Sequence, residues 1–292
     1  MSVWRSLLRK SGFPTSPIDT RLVAERAQTS GDTPGERAAR LEQTLHEYVD
    51  TLGTAHPRSI AARNNLASKY AQIGRRSSAV AQFEQALADA VPALGEEHPQ
   101  TDVIRENLAL SYEDTGRYAD AASLWEVLLT QRQNRLGAGA DETVAARTRL
   151  ADCYRRTGSS DAAIVHYERA IEDATGATPQ SLDKLRLGLA KALGAAGRHD
   201  DAAPQLRMVL AQRTRRLGSK HHDTLAVLHR LALAYRKAGR DLEAVEHLRT
   251  AYRRCLSAAG DPEVRLLTMR VRRDLAGALR AIGSEKEAAA LF

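Results

Sequence analysis

The chain has 292 residues with 43 Lys plus Arg, 36 Asp plus Glu and a formal net charge of +7, but only 8 Tyr, 3 Phe and 2 Trp. Ala, Leu and Arg, all helix formers, stand where a thick globular core would have Phe, Ile and Val, so the composition predicts an all-α protein with a thin, extended core. No apolar run reaches the roughly eighteen residues a membrane span needs, and Cys153 and Cys255 lack C-x-x-C spacing, which argues against a disulfide framework or cysteine metal cluster and makes both small core residues.

In chain order, residues 1–17 place Trp4, Leu7, Leu8 and Phe13 among Arg5, Arg9 and Lys10, ahead of Pro14 and Pro17. This reads as an arm packed on the first helices or an unstructured tail, with a short amphipathic anchor as the sharper alternative. It has no apolar stretch of signal-peptide length, so the cytoplasm is the expected compartment. Ile18 to Ala27 reads as a degenerate helix. Residues 36–52 form an isolated helix with the stripe Ala38, Leu41, Leu45, Tyr48 and Leu52. The expected organisation is an arm with a degenerate capping helix over 1–35, then a repeat array over 36–292, with five full repeats and partial first and last ones.

The array shows in its glycines. Gly74, Gly116, Gly158, Gly197, Gly239 and Gly283 are spaced 42, 42, 39, 42 and 44 residues; Gly53, Gly95, Gly137, Gly176, Gly218 and Gly260 are spaced 42, 42, 39, 42 and 42. Two punctuation marks kept in step through a three-residue deletion mean a two-helix unit repeated along the chain. Before each glycine of the first series stands a Leu-Ala pair with Tyr or Leu four residues after the Leu: Leu66-Ala67, Leu108-Ala109, Leu150-Ala151, Leu189-Ala190, Leu231-Ala232 and Leu275-Ala276. After it come Ala and, four residues later, a bulky apolar residue: Ala79 and Phe83, Ala121 and Trp125, Ala163 and Tyr167, Ala202 and Leu206, Ala244 and Leu248, Ala288 and Phe292. Each set makes one stripe on one helix, with alanine allowing close approach.

The glycines suit helix ends that need a left-handed backbone, with Ser77, Asp120, Ser160, Asp200, Asp241 and Ser284 as candidate N-caps behind them. Pro57, Pro99 and Pro179 mark helix starts. Pro204 falls inside a helix and predicts a late start or a kink. At the last repeat, Leu279, Ile282, Leu291 and Phe292 lack a following helix, which predicts a continuing chain, a homo-oligomer contact or a frayed end.

The Leu-Ala-x-x-Tyr, Gly, Ala-x-x-x-aromatic layout resembles the tetratricopeptide repeat. The longer period, with "LGEEHPQTDVIRENLALSY", is similar to the kinesin-light-chain-like subclass found in bacterial proteins. The resemblance covers residues 57–292 and implies a right-handed α-solenoid of antiparallel helix pairs whose Leu-Ala helices line a concave, peptide-binding groove. It carries no particular ligand: the Lys/Asn/Asn/Lys/Arg clamp for chaperone tails is not reproduced, since Asn64 and Asn65 are isolated and Gly188 stands where a second cation would follow Lys184.

Groove positions lie more than about a hundred degrees around the helix from the core stripe. They are Ala61, Asn64, Ser68 and Ala71; Val103, Glu106, Leu110 and Glu113; Ala145, Thr148, Asp152 and Arg155; Lys184, Leu187, Lys191 and Gly194; Ala226, His229, Leu233 and Arg236; Arg270, Arg273, Gly277 and Arg280. Glu106, Glu113, Asp152 and Arg155 sum to −2, whereas Lys184, Lys191, Arg236, Arg270, Arg273 and Arg280 sum to +6. The whole chain has the same asymmetry. Residues 1–146 hold 16 Lys/Arg and 19 Asp/Glu, net −3, and residues 147–292 hold 27 and 17, net +10.

No phosphate-binding glycine loop, nucleophile elbow or zinc-protease motif is present, so no enzyme and no cofactor is expected. His56 and His98 recur as helix-start residues rather than metal ligands. His222 and His229 share a face without an evident acidic partner, so no metal is expected there either. The expected function is a non-catalytic scaffold that holds an acidic or extended segment of a partner protein. The alternatives are a regulatory subunit of an enzyme and anionic-surface or nucleic-acid binding through Arg213, Arg215, Arg216, Arg253, Arg254, Arg272 and Arg273. Nucleic acid ranks lower because aromatics for base stacking are not interleaved among these arginines.

Overall fold

A computed structural model of the chain describes residues 33–258 and 260–292. The arm with Trp4, Leu7, Leu8 and Phe13 and the Ile18 to Ala27 segment lie outside the described residues. The chain forms two compact units, one ending at Leu124 and one running Trp125–Phe292. Every regular element among the described residues is a helix. The first unit contains α1 (Pro34–Leu52), α2 (Pro57–Gln72), α3 (Arg76–Leu94), α4 (Pro99–Asp114) and the start of α5 (Tyr118–Leu136). The second holds the rest of α5, α6 (Asp141–Thr157), α7 (Ser160–Asp173), α8 (Pro179–Ala195) and α9 (His199–Leu217), then α10 (His222–Lys237), α11 (Asp241–Leu256), α12 (Pro262–Ala281) and the short α13 (Glu285–Ala289).

The Leu-Ala pairs fall on α2, α4, α6, α8, α10 and α12, here called A helices; α3, α5, α7, α9, α11 and α13 are the B helices. Within each unit, helices adjacent in sequence pack together, and successive A helices also touch, as α2 with α4, α6 with α8 and α10 with α12. The alanines permit this. Ala67, Ala109, Ala151 and Ala232, like Ala121, Ala163 and Ala244 on B helices, are completely buried. Phe83, Trp125, Tyr167 and Leu248 are buried one turn further on. Cys153 and Cys255 are buried free thiols, as small core residues should be.

Gly74, Gly116, Gly158, Gly197, Gly239 and Gly283 all have φ between 76° and 90°, the left-handed region that ends each A helix without steric cost. Gly176 and Gly260 do not enter that region. The helices before them, α7 and α11, stop at Asp173 and Leu256, so these two glycines are no longer helix caps.

The capping expectation for the B helices needs correction. Arg75, Arg198 and Arg240 occupy N-cap positions with no side-chain cap bond, and so do Ser159 and Ser284. Ser77, Asp120, Ser160, Asp200 and Asp241 lie inside the helices. Acids in the first turn serve the turn arginines instead. Arg117 Nε donates to Asp120 at 2.6 Å, Arg198 to Asp201 at 2.8 Å and Arg240 to Glu243 at 2.9 Å. Two of these arginines stack on A-helix tyrosines, Arg117 at 4.1 Å from the Tyr112 ring and Arg240 at 4.6 Å from that of Tyr235. The Tyr70 and Tyr112 hydroxyls donate at 2.7 Å to Glu42 and Glu84 of the preceding helix, and Tyr154 does the same to Glu126. Partial burial, with the carboxylate beside it, pushes the Tyr112 phenol up to about 12.

A helices are capped differently. The Nδ1 atoms of His56, His98 and His221 accept from the backbone two residues on, at 3.1 to 3.2 Å. Pro204 causes no late start. Helix α9 begins at His199, and the proline, on the exposed side, leaves only the Asp200 carbonyl without its helical partner.

Ion pairs largely shielded from solvent tie A to B helices: Arg63 to Asp89 at 3.5 Å, Arg147 to Asp173 at 3.3 Å and Arg213 to Asp183 at 3.7 Å. Removing one partner of such a pair strands a charge, at a cost of about 3–5 kcal/mol.

The last layer also differs from the expectation. Leu279 is 2% exposed and belongs to a core with Leu248, Leu275 and Ala288, while Ile282 and Leu291 pack half-buried against that core. The short α13 and the chain's last turn suffice to cover them. Only Phe292 stays open, 72% exposed with Arg272 over its ring at 4.8 Å.

One contact sits at the repeat with the deletion. A Cβ at Gly188 of α8 would lie 2.3 Å from Tyr167 Cε1 and 2.8 Å from its hydroxyl, because the α7 ring fills the space a side chain would take. Gly188→Ala should therefore lower stability by about 1–3 kcal/mol despite alanine's better helix propensity. In a Tyr167→Ala background the same change should stabilise; urea melts of the four variants test this sign reversal.

Candidate functional site

The expected binding positions all lie on A helices, of which α2 touches α4, α6 touches α8 and α10 touches α12. In the first unit, Asn107 Nδ2 donates to Asn64 Oδ1 at 3.0 Å, so Asn64 links α2 to α4. Leu110 is 9% exposed and belongs to the core, not to an open apolar contact surface. Glu106 and Glu113 are half-buried on α4.

In the second unit the same register ties α10 to α12. His229 Nε2 lies 2.8 Å from Asp274 Oδ2. His229 was expected on the open face without an acidic partner; it is 8% exposed and has one. His222 also gains an acid, Glu263, at 3.4 Å from Nδ1. Burial holds the His229 pKa below its ordinary value, against the pull of the Asp274 hydrogen bond and with help from the Arg270 and Arg230 charges. The neutral ring donates Nε2–H to the carboxylate. Among the described residues no cluster of three His, Cys, Asp or Glu is arranged to hold a metal.

Asp152 and Arg155 on α6 serve each other. The Asp152 Oδ1 accepts from Arg155 Nη2 at 3.0 Å and from the Tyr167 hydroxyl at 2.7 Å. Burial first, then the Asp152 charge, raises the Tyr167 phenol well above its ordinary range. Tyr167 belongs to a B helix, yet it reaches the A-helix layer through the gap at Gly188.

The basic positions stand open. Lys184, Lys191, Arg236 and Arg270 are exposed, and among the described residues none has a carboxylate within 4.0 Å. Arg273 and Arg280 are exposed beside Asp274 at 3.4 Å and Glu285 at 3.9 Å. Gly277 leaves room for Arg236, whose Nη1 lies 3.5 Å from where a Cβ would stand. Leu187 and Leu233 are half-buried between these cations. The spacing template missed Arg230, exposed on α10 with the same freedom, whose charge acts on both Lys191 and His229. It precedes the Leu-Ala pair, as Asn107 and Asp274 do, and that position was the available signal.

Two of the arginines named for phosphate attraction are committed elsewhere. Arg213 is paired with Asp183 and donates to the Asp223 carbonyl at 3.2 Å, and Arg272 stacks on Phe292.

Tetratricopeptide repeat family models match residues 59–100, 100–175 and 181–257. No curated protein matches the chain. Among solved structures, a putative kinesin light chain with nearly identical TPR-like repeats from Podosopora anserina is 28% identical, with TM-score 0.61, covering 70% of this chain and 99% of that one. BtubC (BKLC) from P. vanneervenii is 18% identical, with TM-score 0.57, covering 79% of this chain and 94% of that one. YrrB, a TPR protein with an unusual peptide-binding site, is 15% identical, with TM-score 0.51, covering 77% and 97%. The last two are likenesses of fold.

His166, His229 and His247 are all held below their ordinary pKa, by burial first. Their neutral forms stabilise the fold fully above the unfolded value of about 6.5, and that contribution is lost as pH falls from there toward the folded pKa values. Urea melts should show stability declining as pH falls below about 6.5, with a shallower decline in His166→Gln/His247→Gln.

Proposed function

We propose a binding role from one premise: the chain belongs to the tetratricopeptide repeat family, with repeats of the kinesin-light-chain-like kind. Proteins built from these repeats are interaction scaffolds. This chain holds an acidic, extended segment of a partner protein against the A-helix face of its second unit. The observation that carries the reading is the row of exposed cations without carboxylate partners among the described residues, Lys184, Lys191, Arg230, Arg236 and Arg270, across α8, α10 and α12.

Such a row raises the local concentration of anionic ligands and supplies fork-shaped Arg donors for carboxylates. Leu187 and Leu233, lying between the charges, offer apolar contact for an alternating acidic and apolar segment. The face breaks and makes no bonds in this reading; it acts by capture. YrrB supports it only in that the same fold bears a peptide-binding site in that protein. The division into an arm over 1–35 and an array over 36–292 belongs to the proposal.

The triple variant Lys184→Glu/Lys191→Glu/Arg236→Glu should lower the affinity for a fluorescent peptide of alternating Glu and Leu by at least about a hundredfold, with the helical circular dichroism unchanged. Affinity of the parent chain should fall as salt rises. Unchanged affinity in the variant would overturn the reading. A parent chain that prefers duplex DNA to the peptide would favour the nucleic-acid alternative.

A further inference from the structure

At the α12 end of the second unit, a stripe that inner A helices keep covered lies open. Six residues before the Leu of the Leu-Ala pair, α2, α4, α8 and α10 have Ile60, Asp102, Asp183 and Leu225, none more than 4% exposed. The same position on α12 is Met269, 57% exposed. One residue earlier, Ser59, Thr101, Thr143 and Thr224 are buried, whereas Thr268 is only half-buried. Met269 and Thr268 line a cleft of about 170 Å³ together with Arg265 and Arg272 of α12 and Tyr252 and Leu256 of α11. Leu256 is 51% exposed.

The inner repeats show what covers this stripe. Three residues before the same Leu, α2 and α6 carry Arg63 and Arg147, each paired with an aspartate 26 residues on, Asp89 of α3 and Asp173 of α7. Ala86 and Ala90 of α3 share a core with Ile60, and Val144 packs against the core that holds Ala170 and Ala174 of α7. Both B helices therefore cover their A helix with Ala-x-x-Asp-Ala, over 86–90 and 170–174. On α12 the arginine position is Arg272. Its B helix, α13, has five residues where the others have 14 to 19. Neither Arg272 nor Arg265 has a carboxylate within 4.0 Å among the described residues, and the Phe292 ring against Arg272 brings no countercharge.

We propose that this cleft docks an amphipathic helix of a partner protein bearing Ala-x-x-Asp-Ala, which takes the place of the turns α13 lacks. Positions i, i+3 and i+4 share one helix face, so the two alanines come down on Met269 while the aspartate meets Arg272. The small side chains let the helix approach closely, and the carboxylate answers the arginine as Asp89 and Asp173 do in their repeats. A second copy of the chain does not supply the pattern from these helices, because Ala86, Ala90 and Ala170 are completely buried and both aspartates are engaged. Met269 and Arg272 are not among the cations of the A-helix face, so the inference stands apart from capture there.

The test uses the full chain with ¹³C-methyl methionine, which labels Met1, Met208 and Met269. The probe is a peptide with the sequence of residues 84–91, Glu-Gln-Ala-Leu-Ala-Asp-Ala-Val, closed by a lactam across its far face because so short a free peptide would not stay helical. The Met269 methyl signal should shift saturably, with Kd below about 1 mM, and that of Met208 on α9 should stay in place. Asn in place of the peptide's Asp should weaken binding by at least about tenfold, as should Arg272→Glu in the chain. A peptide with Arg at that position should recover binding to Arg272→Glu.

A Met269 signal that does not saturate, or equal affinity for the Asn peptide, overturns the site. So does displacement of the helical peptide by the Glu/Leu peptide. A Met269 signal that moves with the concentration of the chain alone assigns the cleft to a second copy and overturns the partner. If Arg272→Glu does not fold, the Asn peptide on the unaltered chain carries the test. Failure here with intact capture of the Glu/Leu peptide removes only this inference, and saturable binding of the helix without that capture removes only the broader function.

Discussion

Everything in this chain depends on how closely its helices approach one another. The approach is set by alanines that are wholly buried on both helix types, Ala67, Ala109, Ala151 and Ala232 on one and Ala121, Ala163 and Ala244 on the other. A larger side chain at any of them would push two helices apart and move every residue downstream in the layer. Because the gap is so thin, a single large group per layer fills what remains, which is why Phe83, Trp125, Tyr167 and Leu248 suffice and the chain needs few aromatics.

Close packing of A helices has a second effect. Polar groups that would otherwise face solvent meet across the seam. Asn64 with Asn107 and His229 with Asp274 use the same two positions of neighbouring repeats. These links hold the layer's floor, leaving the residues above them to face a ligand. In the second unit those residues are cations, and among the described residues Lys184, Lys191, Arg230, Arg236 and Arg270 have no carboxylate within 4.0 Å, so the face carries an unbalanced charge on a packed support. Preorganised charge of this kind costs no rearrangement at the moment of binding.

The repeat register, the helix pairs and the buried stripes were legible because glycine and alanine act locally: each needs only its own backbone angle or its own neighbour. The seam contacts were not. Asn64 and Asn107 are 43 residues apart and His229 and Asp274 are 45 apart, so their pairing depends on how one repeat stacks on the next, which no local pattern encodes. Arg230 was different, since its place just before the Leu-Ala pair was a local signal that the spacing template left out. N-caps were misplaced because Ser and Asp after a glycine suggest a cap, whereas here stacked tyrosines and first-turn acids draw an arginine into that position. Leu279 was expected to lie bare because a missing helix suggests a missing cover, yet the last turns of the chain are enough.

Tyr167 and Gly188 bear on how such an array can change over time. Repeat proteins grow and diversify by copying, deleting and exchanging whole modules, which requires that each module fit any neighbour. Here a ring from one module occupies the volume of a side chain in the next, and no other described boundary uses that arrangement. The third and fourth modules are therefore heritable only as a pair: recombination that separated them would place a bulky ring against a side chain, or leave a hole above a glycine. The array has a fixed joint within an otherwise interchangeable series.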